Sequence, residues 1–284
     1  MVALVGNSTA GVVLVGGRSS RMGTAKAMLE WHGSTLLCRA LGILSRSIDG
    51  PLLVVRAPGQ PLPGIPVQAE VVEDPEEGLG PLQGIATGLA ALAGQAHTAF
   101  VCSTDLPFLH PAFVRRVLSA FTDDSDVVLP IAHGYPQPLA AAYRITLAPL
   151  VSELVAAGDR RLGLLFQRCV TLRLDDAALL ADSALATADP ALDSVVNVNC
   201  PDDYHAARRR PPPQVTVQCC GSLSSDRGSQ TVRAATLSSA AAAVGLALDC
   251  HITVELNGDQ ISRDANLPLV SGDAIIFSDA TPGG

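Results

Sequence analysis

Over the first two thirds of the chain, short apolar blocks alternate with stretches whose apolar residues recur at helical spacing. Residues 12–15, 52–55, 99–103, 127–131, 170–174 and 195–198 read as strands. Leu36, Leu37, Ala40, Leu41 and Leu44 share one helical face, behind Ser34 as a candidate cap. Leu82, Ile85, Leu89 and Leu92 do the same across residues 81–93, and a further helix is expected at residues 111–121. This strand–helix alternation predicts an α/β domain, a doubly wound and mostly parallel sheet with helices on both faces.

After the run Arg208-Arg209-Arg210-Pro211-Pro212-Pro213 the pattern changes. Three prolines cannot continue a helix and favour an extended spacer. Beyond them, strands are expected at residues 215–219, 230–233, 252–256 and 274–277, with an alanine-rich helix over 236–245 that stops at Gly245. Asn257-Gly258 and Ser271-Gly272-Asp273 supply turns. The chain is therefore divided into residues 1–207, a linker at 208–213, and a compact α+β domain over 214–284.

Composition narrows the function. The 284 residues carry a net charge of −8, with 48% hydrophobic and 16% charged residues. That composition suits folded domains and argues against nucleic acid or an anionic membrane as the main partner. No apolar run reaches the ~18 residues of a membrane span, and no basic segment precedes the apolar N-terminus, so a cytoplasmic protein is expected. Seven scattered cysteines without a C-x-x-C pair fit a reduced chain lacking a zinc or disulfide framework.

Of 19 basic residues, 18 are arginine and one, Lys26, is lysine. It closes a segment that runs from the first strand into a glycine-rich loop: Leu14, Val15, Gly16, Gly17, Arg18, Ser19, Ser20, Arg21, Met22, Gly23, Thr24, Ala25, Lys26. Gly16, Gly17 and Gly23 allow close backbone approach to a ligand, and exposed N–H groups in such a loop make an anion nest. Arg18, Arg21 and Lys26 add positive charge at the carboxyl end of the strand, where open α/β sheets bind ligands. The spacing matches neither the P-loop nor the dinucleotide fingerprint. A compact ammonium suits a crowded polyphosphate pocket better than a planar guanidinium.

Three further segments carry candidate chemistry. Asp74 and Gly80 belong to an acidic loop that ends in Gly80-Pro81 at a helix start. Asp105 ends an apolar strand and faces the same crevice, a position suited to holding Mg²⁺ on phosphate oxygens. Asn197 and Asn199 alternate on an expected strand and so point to one face. Cys102 and Ser103 lack a histidine at a recognisable spacing and are read as structural.

The glycine-rich segment resembles the L-A-G-G-x-S-x-R-M-G-x-x-K signature of the MobA-like nucleotidyltransferases, and within them the molybdenum cofactor guanylyltransferases. Val15 stands where the family has alanine. Residues 73–84 resemble its E-D-x-x-x-x-x-G-P-L-x-G motif, Asp105-Leu106-Pro107-Phe108 its D-x-P-[FY] motif, and residues 196–203 its V-N-[VI]-N-T-P-E-[DE] ending, with Cys200 replacing threonine. The resemblance implies a Rossmann-like nucleotidyltransferase that transfers GMP from GTP to the phosphate of molybdopterin, with Mg²⁺ as cofactor. Lys26, Arg21 and Asp105 are then catalytic, and Asp105 holds the metal. Leu14, Gly16, Gly17, Arg21, Lys26, Asp74, Gly80 and Asp105 bind the nucleotide, with Asp74 on the base side. Gln137, Arg160, Arg161, Asn197 and Asn199 fall on the acceptor side. Gly17 points to guanine, because a side chain there would crowd a purine.

Residues 254–258, 267–277 and the final Gly283-Gly284 resemble the MoaD/ThiS sulfur carriers, which have a ubiquitin-like β-grasp fold. That resemblance implies a terminus activated by an E1-like adenylating enzyme and used by the large subunit of molybdopterin synthase. The alternatives are cytidylyl or other nucleotidyl transfer to a different phosphate acceptor, and a carrier or scaffold whose transferase half is inactive.

Overall fold

A computed structural model describes residues 8–15, 25–223, 228–249, 251–261 and 264–279. The chain divides into two units, Met1–Leu29 with Leu36–Tyr204, and Glu30–Thr35 with His205–Gly284. Among the described residues no helix is long and apolar enough to cross a membrane.

In chain order the first 145 residues contain β1 (Thr9–Leu14), the short strands β2 (Glu30–Trp31) and β3 (Ser34–Thr35), α1 (Leu36–Ser45), β4 (Leu52–Arg56), β5 (Ala69–Glu73), α2 (Pro81–Ala91), β6 (Thr98–Ser103), α3 (Pro111–Ser119), β7 (Val127–Ala132), β8 (Tyr135–Pro136) and β9 (Ala140–Arg144). Then come α4 (Ala148–Ala156), α5 (Leu162–Arg168), β10 (Thr171–Asp175), α6 (Asp176–Leu180), α7 (Ser183–Ala188) and α8 (Pro201–Arg209). The boundary between the units falls inside α8, between Tyr204 and His205.

The first unit is built on a sheet of order β10-β7-β9-β6-β1-β4-β5, with β8 on β7. β1 runs parallel to β4 and β6, β4 to β5, and β10 to β7, while β9 is antiparallel to both its neighbours. Unbroken apolar runs in β1, β4 and β6 follow from burial on both faces. A Cβ on Gly11 would meet Leu44 and Ile48 on one face, and a Cβ on Gly88 of α2 would press on Val12, 2.9 Å away, on the other. Leu82, Ile85 and Leu89 of α2 and Val151 and Leu154 of α4 join Val12, Val55 and Val101 in one core.

Two local expectations are corrected, and one strand is added. Ser34 does not cap α1: it sits in β3, opposite Trp31, and the Leu36 N–H goes to the Leu29 carbonyl. Residues 195–198 are not a strand. Asp189 caps a 3-10 turn at Asp193–Val195 through the N–H groups of Asp193 and Ser194, and the Val198 N–H goes to the Asp105 carbonyl instead of a ladder. β5 was not anticipated, because its pattern Ala-Glu-Val-Val-Glu is mostly exposed at the sheet edge.

The second unit holds β11 (Gln214–Cys219), β12 (Gln230–Arg233), α9 (Leu237–Ala243), β13 (Ile252–Leu256), β14 (Asp259–Ile261) and β15 (Ala274–Asp279). Its sheet has the order β12-β11-β15-β13-β14, with β11 and β15 parallel at the centre and the other pairs antiparallel. Period-2 alternation turns Val215, Val217, Ile252, Val254, Leu256, Ile275 and Phe277 toward Leu237, Ala240 and Ala241 of α9. Thr236 and Ser239 cap α9 reciprocally, and Asn257 and Gly258, at φ 55° and 92°, make the turn into β14. In the same unit Arg208 ion-pairs with Glu30 and meets His32 Nδ1 at 2.7 Å.

Candidate active site

Because β1, β4, β5 and β6 are parallel, their carboxyl ends share one edge. The chain passes from β1 outward to β4 and β5, then returns to β6 on the other side of β1. This reversal makes the topological switch point at which open α/β sheets bind ligands. β1 ends there at Leu14, Asp74 follows β5, and Asp105 lies just beyond β6.

Lys26 begins a short 3-10 turn, Lys26–Met28. Its Nζ lies 3.0 Å from Asp105 Oδ2 and 3.3 Å from Asn199 Oδ1. The Ser103 hydroxyl donates to the other carboxylate oxygen of Asp105. Asn199 is presented by the start of α8, where Asp203 Oδ2 accepts the N–H groups of Asn199 and Cys200. Those contacts, the Asn199 N–H foremost, hold the Asp203 carboxyl below its ordinary range. A lysine, a carboxylate and a carboxamide from three distant stretches thus converge at one point.

Beside them lies a cavity of about 640 Å³, lined among others by Leu14, Asp74, Gly80, Ser103, Leu139 and Arg160. Gly80 adopts φ 83° just before Pro81 opens α2, a conformation that favours glycine. Gly84 lets α2 approach Leu14 closely, since a Cβ there would sit 3.1 Å from its side chain. Asp74 donates its N–H to the Arg56 carbonyl, and its Oδ1 accepts the Thr87 hydroxyl at 2.7 Å. Burial pushes the Asp74 carboxyl up and the Thr87 hydrogen bond partly opposes the rise.

The structure thus brings Lys26, Asp105 and Asn199 into contact and sets Leu14, Asp74, Gly80 and Arg160 around the cavity. Arg160 donates to the Gly78 carbonyl at 3.4 Å. Arg161 is exposed and precedes α5. The Gln137 amide goes to the Ala132 and Tyr135 carbonyls of its own hairpin, and the Asn197 amide to the Val195 carbonyl. Gly16, Gly17, Arg18, Arg21, Gly23, Gly283 and Gly284 lie outside the described residues. Cys102 is fully buried and its thiol is pushed up by burial and by Asp105, which suits no nucleophile. Ser103, Gln83 and Thr87 were not singled out as site residues, although the spacing Ser103-x-Asp105 and the helical i, i+4 pair Gln83 and Thr87 were visible signals.

Among the described residues no group of three His, Cys, Asp or Glu could hold a metal ion with protein atoms alone. The donor set does fit Mg²⁺, which commonly takes one or two carboxylates and completes its shell with water and substrate phosphates. Asp105 is the carboxylate that could hold it.

A switch-point crevice combining a lysine–carboxylate pair with a neighbouring cavity marks the candidate ligand site of an α/β domain. Comparison with known proteins makes this specific. Residues 11–177 match the MobA-like NTP transferase domain. The chain is 43% identical over 190 residues to a probable molybdenum cofactor guanylyltransferase of Mycobacterium marinum, an alignment covering 65% of this chain and 92% of that one. It is 40% identical over 201 residues to the protein of the same name from Mycobacterium tuberculosis, covering 69% and 92%. In fold it is similar to molybdopterin-guanine dinucleotide biosynthesis protein A from Archaeoglobus fulgidus, with a TM-score of 0.57, 23% identity, and coverage of 70% of this chain and 96% of that one. The chain belongs to the MobA-like NTP transferase family and is a nucleotidyltransferase.

Proposed function

We propose that the first unit transfers GMP from GTP to the terminal phosphate of molybdopterin or its molybdenum-loaded form. The observation that carries this reading is the contact of Lys26 with Asp105 and Asn199 beside the Asp74 cavity. An acceptor phosphate oxygen attacks the α-phosphorus of GTP, the bond to the bridging oxygen of the β-phosphate breaks, and pyrophosphate leaves. The attacking oxygen is already anionic, so the protein supplies positioning and charge neutralisation instead of a nucleophile. Lys26, with Arg21, offsets charge on the triphosphate. Asp105 holds Mg²⁺, which when bound neutralises charge on phosphate oxygens. Asp74 accepts N–H groups of guanine, and Gln137, Arg160, Arg161, Asn197 and Asn199 serve the acceptor side.

The second module, residues 214–284 beyond the linker 208–213, is a β-grasp sulfur carrier in this reading. Its support is a five-stranded sheet with its first and last strands parallel at the centre and one helix against a single face. Gly283-Gly284 then enters an E1-like adenylating enzyme and serves the large subunit of molybdopterin synthase. Purified protein given molybdopterin, Mg²⁺, and GTP or CTP tests the first reading: guanylyl transfer is expected, and a preference for CTP overturns it. Intact-mass analysis tests the second through replacement of one C-terminal oxygen by sulfur.

A further inference from the structure

Asp74 is reached by a chain of two side chains from α2. Gln83, 7% exposed, donates its amide to the Thr87 hydroxyl at 3.1 Å, and Thr87 donates its only proton to Asp74 Oδ1 at 2.7 Å. The direction is set by the donors, because an amide NH₂ cannot accept and a hydroxyl has one proton to give. Gln83 and Thr87 lie one helical turn apart, so a single face of α2 presents both to the end of β5.

We infer that Thr87, oriented by Gln83, is a positioning residue that holds Asp74 as an acceptor for the guanine base. This rests on the guanylyl-transfer reading. With Oδ1 receiving the Thr87 proton, Asp74 is fixed in rotation and its remaining lone pairs are left for the N1–H and N2–H donors of guanine. A carboxylate can accept from both; a carboxylic acid would turn an O–H against one of them. Burial favours the acid form, and the Thr87 hydroxyl works against it. Thr87 therefore acts twice on Asp74, on its orientation and on its protonation. Among the described residues, the other charged groups lining the cavity are Glu76, Glu77 and Arg160, and Arg56 pairs with Glu73 alongside.

The test is binding of the fluorescent nucleotide mant-GTP, with Mg²⁺, to the full chain between pH 5 and 8. The proteins compared are wild type, Thr87→Val, Thr87→Ser and Asp74→Ala, with competition by unlabelled GTP and ITP. Thr87→Val keeps the shape and removes the hydroxyl. It is expected to weaken GTP binding about tenfold at pH 7, the loss of one hydrogen bond to a charged group. It should also move the acid limb of binding to higher pH and narrow the preference for GTP over ITP, which lacks the N2 amine. Thr87→Ser restores all three. Glu76, Glu77 and Arg160 are common to both variants, so a difference between their profiles belongs to Asp74. Wild-type binding in Thr87→Val beside a loss in Asp74→Ala overturns this inference and leaves the guanylyl reading standing. Undiminished binding in Asp74→Ala overturns that reading as well. A loss in Thr87→Val that is uniform in pH and not restored by serine marks a packing role, and also overturns the inference.

Discussion

Asp74 and Asp105 occupy equivalent places, each just past the carboxyl end of a parallel strand, yet their surroundings differ. Asp105 faces an ammonium at 3.0 Å and accepts a serine hydroxyl on its other carboxylate oxygen. Asp74 has a threonine hydroxyl at 2.7 Å and enough burial to raise its pKa. One strand-end carboxylate is thus paired with a cation, and the other is partly buried against a neutral hydroxyl. The same topology delivers both carboxylates; the neighbours decide the chemistry.

The contrast can be broken by mutation, beginning at the charged end. Lys26→Ala or Asp105→Ala is expected to lower kcat for guanylyl transfer about a thousandfold with an unchanged melting profile, as when a preorganised charge-stabilising donor is removed. Near-normal turnover in either would make the two carboxylates alike. At the other end, Asp74→Ala should cost about a hundredfold in kcat/KM for GTP, the equivalent of two charged hydrogen bonds in an open site, chiefly through KM. A fall confined to kcat would move Asp74 to the reacting phosphates. Ser103→Ala removes one contact from Asp105 and is expected to reduce kcat about fivefold, a partial loss of one charge-assisted bond.

The smallest effect is on stability. Asp74 has a folded-state pKa above the 3.8 of an ordinary aspartate, so the fold favours its protonated form. That contribution is complete below the unfolded value and is lost as pH rises through the folded one. Asp74→Asn, which keeps an acceptor for Thr87, should raise Tm by about one degree at pH 7 to 8. The gain should vanish as pH falls below about 4. A gain that persists in acid would trace to packing and not to the buried charge.

Much of this was legible because glycine and proline punctuate the chain where the site is built. Gly80-Pro81 marks the start of α2, and the Asp105-x-Pro107 turn marks the end of β6, so the sequence alone places Asp74 in the loop before a helix and Asp105 at a strand end. The helix over residues 36–44 and the β11-β12-α9 segment follow from periodicity and from Gly245, and Asn257-Gly258 marks the turn after β13. Other parts depend on tertiary contact. Residues 195–198 have a strand's composition, but Asp189 draws the preceding N–H groups into a 3-10 turn and the Asp105 carbonyl takes the Val198 N–H. Thr87 is an ordinary polar residue on a helix until β5 is placed against α2, and β5 was the strand whose exposed edge pattern hid it. Asn199 was expected to share a face with Asn197; the turn separates them, and only Asn199 reaches Lys26.

The bond from the Val198 N–H to the Asp105 carbonyl, with Asn199 on Lys26, also sets an order in time. Lys26, Asp74 and Asp105 leave the ribosome early, but the segment that ties the Asp105 loop and the lysine together emerges well over a hundred residues after Lys26, at the end of the first unit. During synthesis, every shorter nascent chain carries the charged groups without their last anchors. These last anchors lie just before His205, so they emerge only as the long C-terminal part of the second unit, His205–Gly284, is about to be made.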